Sequence, residues 1–131
     1  MKQYTEGGAS AAFNSKIEYD IRAQQLTQDM LQAFYRREHS TITYLASEGA
    51  HFTPEMLQVA VGFRDQHLTR ECLEGGVIPN EGMVKFAIDS RDAPLAHMLL
   101  EKTPQETATR LKEYATRRND PAIVREFEHV M

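Results

Sequence analysis

At 131 residues, 41% hydrophobic and 26% charged, the chain is long enough for one domain with a real core and too short for two ordinary ones. That composition excludes disorder throughout. The formal net charge of −4 argues against a nucleic-acid partner, which requires a clustered basic face. No apolar run approaches the roughly 18–20 residues of a membrane span, so no membrane partner is expected.

Residues 1–14 carry a Gly-Gly pair and no usable periodicity, and are read as a flexible N-terminal arm. They show no secretory pattern, and with the single cysteine, Cys72, they point to a soluble protein of the reducing cytoplasm. An uncleaved export signal, of the kind that delivers some bacterial effectors into a host cell, is the alternative reading of the arm. Ser15 can cap a short helix over 15–26, with Ile17, Ile21 and Leu26 at helical spacing, as the N-terminal lid of a helical stack.

A first helical unit is expected over 27–52. Thr27 would be its N-cap, and Met30, Leu31, Ala33 and Phe34 would form its apolar stripe. A second helix, about 40–47, would bury Ile42 and Leu45, and Gly49 stands where a left-handed C-terminal residue is wanted.

The next unit, 53–79, starts at Thr53 as N-cap with Pro54 at the first helical position. Its first helix ends near Phe63, Arg64-Asp65 makes the turn, and Asp65 caps the second helix. Phe63 is expected to pack under that turn. Leu68, Cys72 and Leu73 face the core, and Gly75-Gly76 ends the unit.

The unit at 80–102 repeats this wording. Met56 recurs as Met83, Ala60 as Ala87, Arg64-Asp65 as Arg91-Asp92 and Leu73-Glu74 as Leu100-Glu101, always 27 positions on. A period of this order marks an array of small stacked supersecondary units. The last unit, 103–131, opens with Thr103-Pro104-Gln105-Glu106, read as a capping box. Its Ala115 lies 28 positions after Ala87, and Asn119-Asp120-Pro121 makes its turn. Ile123, Val124 and Phe127 close the core behind a polar outer helix. No segment alternates long enough for a strand, so the fold is expected to be all-α.

The segments Val59–Gly76, Phe86–Glu101 and Tyr114–Glu128 resemble the helical half of an ankyrin repeat. The shared features are an alanine late in the first helix, a turn, an aliphatic residue three or four positions on, and a Leu-Leu-Glu-like ending. Thr53-Pro54 is similar to the family's Thr-Pro helix start, although the leucine and histidine that normally come next are absent. The units are shorter than the family's length of about 33 residues, which leaves no room for its β-hairpin finger. Arg64, Arg91 and Asn119 replace its turn glycine. The resemblance covers residues 27–131. It implies an ankyrin-like α-solenoid, a non-enzymatic scaffold that binds a protein partner through the concave side lined by the first helices. As adaptor, inhibitor or effector it would transfer no catalytic residue. A structural protein that uses the stack to self-associate is the alternative.

Projecting the repeat places three rows on that side. They are Gln28, Glu55, Gly82 and Arg110; Leu31, Gln58, Lys85 and Glu113; and Tyr35, Gly62, Asp89 and Arg117. The candidate partner-binding residues are therefore Gln28, Tyr35, Glu55, Gln58, Lys85, Asp89, Arg110, Glu113 and Arg117, mixed in charge with Tyr and Arg as anchors.

No enzymatic or metal chemistry is expected. The five histidines lack the spacing that puts two ligands on one helix face, and His67 with Cys72 has no second pair. Gly75-Gly76 ends a helix rather than cradling a phosphate, and there is no Gly-x-Ser-x-Gly elbow. The repeated Arg-Asp pairs sit at turns, where capping accounts for them; distributed along an array, they do not converge on one substrate atom. No cofactor is implied. The basic stretch from Arg110 to Arg118 reads as a solvated helix face.

Overall fold

The computed structural model describes residues 8–130. Eight helices and no strand occur among them: α1 (Gly8–Arg36), α2 (His39–Ser47), α3 (Pro54–Gly62), α4 (Gln66–Glu74), α5 (Glu81–Asp89), α6 (Ala93–Glu101), α7 (Gln105–Arg117) and α8 (Pro121–Val130). The fold is all-α. Two compact units divide the chain, Met1–His51 and Phe52–Met131.

In the first unit α1 packs on α2. The expected arm and lid are corrected here. Residues 1–7 of the arm lie outside the described residues, but Gly8 onward is helical, and α1 runs unbroken through Ser15 and Thr27. Neither residue caps a helix. No glycine or proline stands between Gly8 and Arg36, and the segment is rich in Ala and Gln, so nothing stops the helix. The Thr27 hydroxyl instead donates to the Ala23 carbonyl at 2.8 Å and accepts the His51 N–H at 3.0 Å. Met30, Phe34, Ile42 and Leu45 form the buried side.

In the second unit α3 packs on α4, α5 on α6 and α7 on α8, and each of these hairpins packs on the next: α5 touches α3 and α7, and α6 touches α4 and α8. Repeated local chemistry defines the hairpins. Thr53, Asp65, Asn80 and Asp92 each accept, through a side-chain oxygen, the backbone N–H three residues on. Asp120 does the same for Ile123 at 3.3 Å and also takes the Ala122 N–H at 3.1 Å. The turn inside each hairpin is left-handed at Arg64 (φ 55°), Arg91 (φ 56°) and Asn119 (φ 62°), and Arg37 (φ 55°) holds the same place in the first unit. Asp65 N–H closes onto the Ala60 carbonyl and Asp92 N–H onto that of Ala87, both at 3.0 Å. The recurring alanines thus end their helices as well as packing them.

In the second unit one cap departs from expectation. The capping box at Thr103 does not form: α7 starts behind Pro104, without a side-chain cap, and Thr103 Oγ1 donates to the Leu99 carbonyl at 2.7 Å. The hydroxyl is taken by the last turn of α6 before it can serve α7.

The core of the second unit is a set of equivalent positions: Met56, Met83 and Leu111; Ala60, Ala87 and Ala115; Leu68, Leu95 and Ile123; Cys72, Leu99 and Phe127. A further set is apolar only in the first two hairpins. Leu57 and Val84 are buried where Lys112 stands, Val61 and Ile88 where Thr116 stands, and Leu73 and Leu100 where Glu128 stands. Those positions are buried in the first two hairpins and become polar in the last, the pattern expected where a terminal repeat meets no further hairpin among the described residues.

Candidate protein-binding face

Because α3, α5 and α7 touch in sequence, their outward residues form one surface within the second unit. Glu55, Gln58, Asp89, Arg110, Glu113 and Arg117 are exposed and Lys85 is half-buried. Gln28 and Tyr35, the other two expected anchors, are exposed on α1 of the first unit, where Leu31 is half-buried.

Three of the expected residues come together through three that the repeat projection missed. Glu81 Oε1 accepts from Arg110 Nη2 at 2.9 Å, and its other oxygen lies 3.6 Å from Lys85 Nζ. Asp89 accepts the Tyr114 hydroxyl at 2.8 and 3.0 Å and pairs with Arg118 Nη2 at 3.0 Å. The Tyr114 ring carries Lys85 Nζ 5.2 Å and the Arg118 guanidinium 5.6 Å from its centroid. Arg110 and Lys85 hold the Glu81 carboxyl below its usual range, Arg110's hydrogen bond being the largest cause. The hydrogen bond to Asp89 pushes the Tyr114 hydroxyl up. Tyr114 is therefore an aromatic side chain held at both ring and hydroxyl. Gln58, Glu113 and Arg117 flank this knot without entering its hydrogen bonds.

Glu81, Tyr114 and Arg118 could have been found from one offset. Five pairs across neighbouring hairpins share one offset: Arg110 with Glu81, Arg118 with Asp89, Arg91 with Asp120, His97 with Glu126 and Lys85 with the Tyr114 ring are all 29 positions apart. The three projected rows track one helix position at a time and miss this diagonal.

Phe63 is corrected as well. It lies 44% exposed at the end of α3 rather than packed away under the turn, with Phe86 39% and Ile78 64% exposed in the same unit. Gly62, beside Phe63, would place an added Cβ in open space.

Cys72 is buried on α4, and burial, reinforced by Glu71, pushes its thiol up to about 12. It is a core residue in its neutral form. Among the described residues no group of three His, Cys, Asp or Glu side chains could hold a metal ion, and no helix is long and apolar enough to cross a membrane. No protein-family model, curated protein or solved structure matches the chain.

Proposed function

We propose that the chain is a non-enzymatic protein-binding module, an ankyrin-like stack without fingers, whose partner lies across the first helices of the hairpins. The observation that carries this reading is the Tyr114 knot. A tyrosine, three basic groups and two carboxylates are held in place before any partner arrives, so little side-chain entropy is lost on binding. Ordered tyrosine and arginine are the side chains that anchor interfaces. The left-handed turns at Arg64, Arg91 and Asn119 support the repeat half of the reading, because the same backbone turn recurs inside each of the three hairpins. On this reading the charged Glu55, Glu113 and Arg117 and the polar Gln58 surround the anchor and select the partner. The buried, unreactive Cys72 fits a cytoplasmic adaptor, inhibitor or effector.

Self-association is the second reading, and exposed Phe63, Ile78 and Phe86 favour it. Affinity capture from source and host lysates, with the double variant Lys85→Glu, Asp89→Lys beside the wild type, separates the two. The binding reading expects a protein retained by the wild type and lost by the variant at unchanged helicity. Equal retention by both would remove the first-helix face from consideration. Retention of the chain's own copies alone, with a mass that rises with concentration, would replace it by self-assembly.

A further inference from the structure

The second helices of the hairpins carry a ladder of their own. Arg70, His97 and Arg125 share one repeat position on α4, α6 and α8, and Glu71, Met98 and Glu126 share the next. In the rung between α6 and α8, His97 Nδ1 lies 2.8 Å from Glu126 Oε1, and its Nε2 lies 3.5 Å from Glu101. In the rung between α4 and α6 the acceptor is missing, because Met98 occupies the place that Glu126 fills one hairpin later. Arg70 Nη2 rests 3.7 Å from the Met98 sulfur. A thioether is a weak acceptor, and a guanidinium has five donors to satisfy. Among the described residues no carboxylate lies within ion-pair distance of Arg70.

Arg70 and Met98 also stand on the wall between two clefts. One, of about 450 Å³, is lined by Gln66, Pro94 and His97 beside them. The other, of about 220 Å³, is lined by Glu74, Glu101 and Lys102 beside them.

We propose that the groove between α4 and α6 receives an aspartate or glutamate side chain of an acidic partner peptide, its carboxylate bound by Arg70 and its stem lying on Met98 and Pro94. The neighbouring rung shows what belongs there, since the group that completes the same position one hairpin on is a carboxylate, Glu126. A planar guanidinium takes a carboxylate through two parallel bonds. Charge selects against phosphate. Glu74, Glu101 and Glu126 line the two clefts against Arg70 and Lys102, so the second charge of a dianion adds repulsion that the single charge of a carboxylate does not. The site lies on the layer of second helices, so it does not rest on the first-helix reading, and either can fail alone.

The test uses the whole chain and the side-chain Nε–H signal of Arg70, assigned by its loss in Arg70→Gln. Arg70 is exposed, and circular dichroism checks that both variants keep their helicity. The probes are acetyl-Leu-Glu-Leu-amide, its glutamine counterpart and inorganic phosphate. The expected result is a saturable shift with the glutamate peptide, with a Kd of about 1–10 mM for so small a ligand. The glutamine peptide gives no shift, and Arg70→Lys, monitored through the Met98 methyl signal, binds several-fold more weakly. Three results would each overturn the proposal: no shift with the glutamate peptide, equal shifts with both peptides, or a tighter response to phosphate. So would glutamate-peptide shifts at Met98 that persist unchanged in Arg70→Gln.

Discussion

Arg91 Nη1 lies 3.3 Å from Asp120 Oδ2, so the residue that turns one hairpin is tied to the residue that caps the second helix of the next. Asp120 is nearly buried and divides its two oxygens between the α8 cap and Arg91. The left-handed turn is thus a strained position that, at Arg91, also joins neighbours. Arg64, with the same left-handed backbone, turns the preceding hairpin and has no such pair among the described residues.

Glycine substitutions separate strain from pairing. Arg64→Gly removes the Cβ penalty of the left-handed region and should stabilise the protein by about 0.5–1 kcal/mol. Arg91→Gly relieves the same strain but loses the Asp120 pair, so its gain should be smaller by up to about 1 kcal/mol. Urea melts with equal m-values check this; identical gains would show that the pair contributes nothing.

Thr69 offers a stabilising change in the core. Its hydroxyl is fully buried on α4 with no hydrogen-bond partner among the described residues, while the equivalent positions are Ala96 and Val124. Thr69→Val keeps the shape and removes an unsatisfied polar group, so stability should rise by about 1 kcal/mol. A fall in thermal midpoint would mean that water or a concealed acceptor serves the hydroxyl.

Ala87 tests the close approach of hairpins. It is fully buried on α5, the helix that packs against both α3 and α7. Ala87→Leu should overpack these contacts and cost roughly 1–3 kcal/mol. The same change at exposed Gln58 on α3 should cost well under about 0.5 kcal/mol. Equal effects in denaturant melts would place Ala87 outside the packing that orders the hairpins.

Cys72 makes a prediction in pH. Burial raises its thiol from 9.0 to about 12, so folding favours the protonated form. Its contribution to stability is complete below pH 9 and is lost as pH rises from 9 toward about 12. In the native protein a disulfide reagent should label Cys72 far more slowly than in urea between pH 7 and 9, whereas similar rates would show that α4 opens readily.

The period of 27 carried much of this fold. Thr53, Asp65 and Asp92 were legible as caps, and Arg64, Arg91 and Asn119 as turn residues, because cap and turn chemistry is local. The start of α1 was not legible from Ser15 or Thr27. Both are good cap residues, but a cap forms only where the preceding chain leaves the helix, and nothing there made it leave. Thr103 misled for a related reason, since two helix ends compete for one hydroxyl. The site was half legible. Lys85, Asp89 and Arg110 were named from the projected repeat rows, but Glu81, Tyr114 and Arg118 join them on a diagonal set by how far each hairpin is offset from the next, a tertiary quantity. Gln28 and Tyr35 belong to the first unit and take no part in that knot.

Hydrogen-exchange footprinting of the chain with and without the captured partner decides whether the first helices bind. The binding reading predicts protection in α5 and α7, around Lys85, Asp89 and Tyr114, that disappears with Tyr114→Ala at unchanged helicity. Protection confined to other helices, with affinity unaffected by Tyr114→Ala, would contradict it.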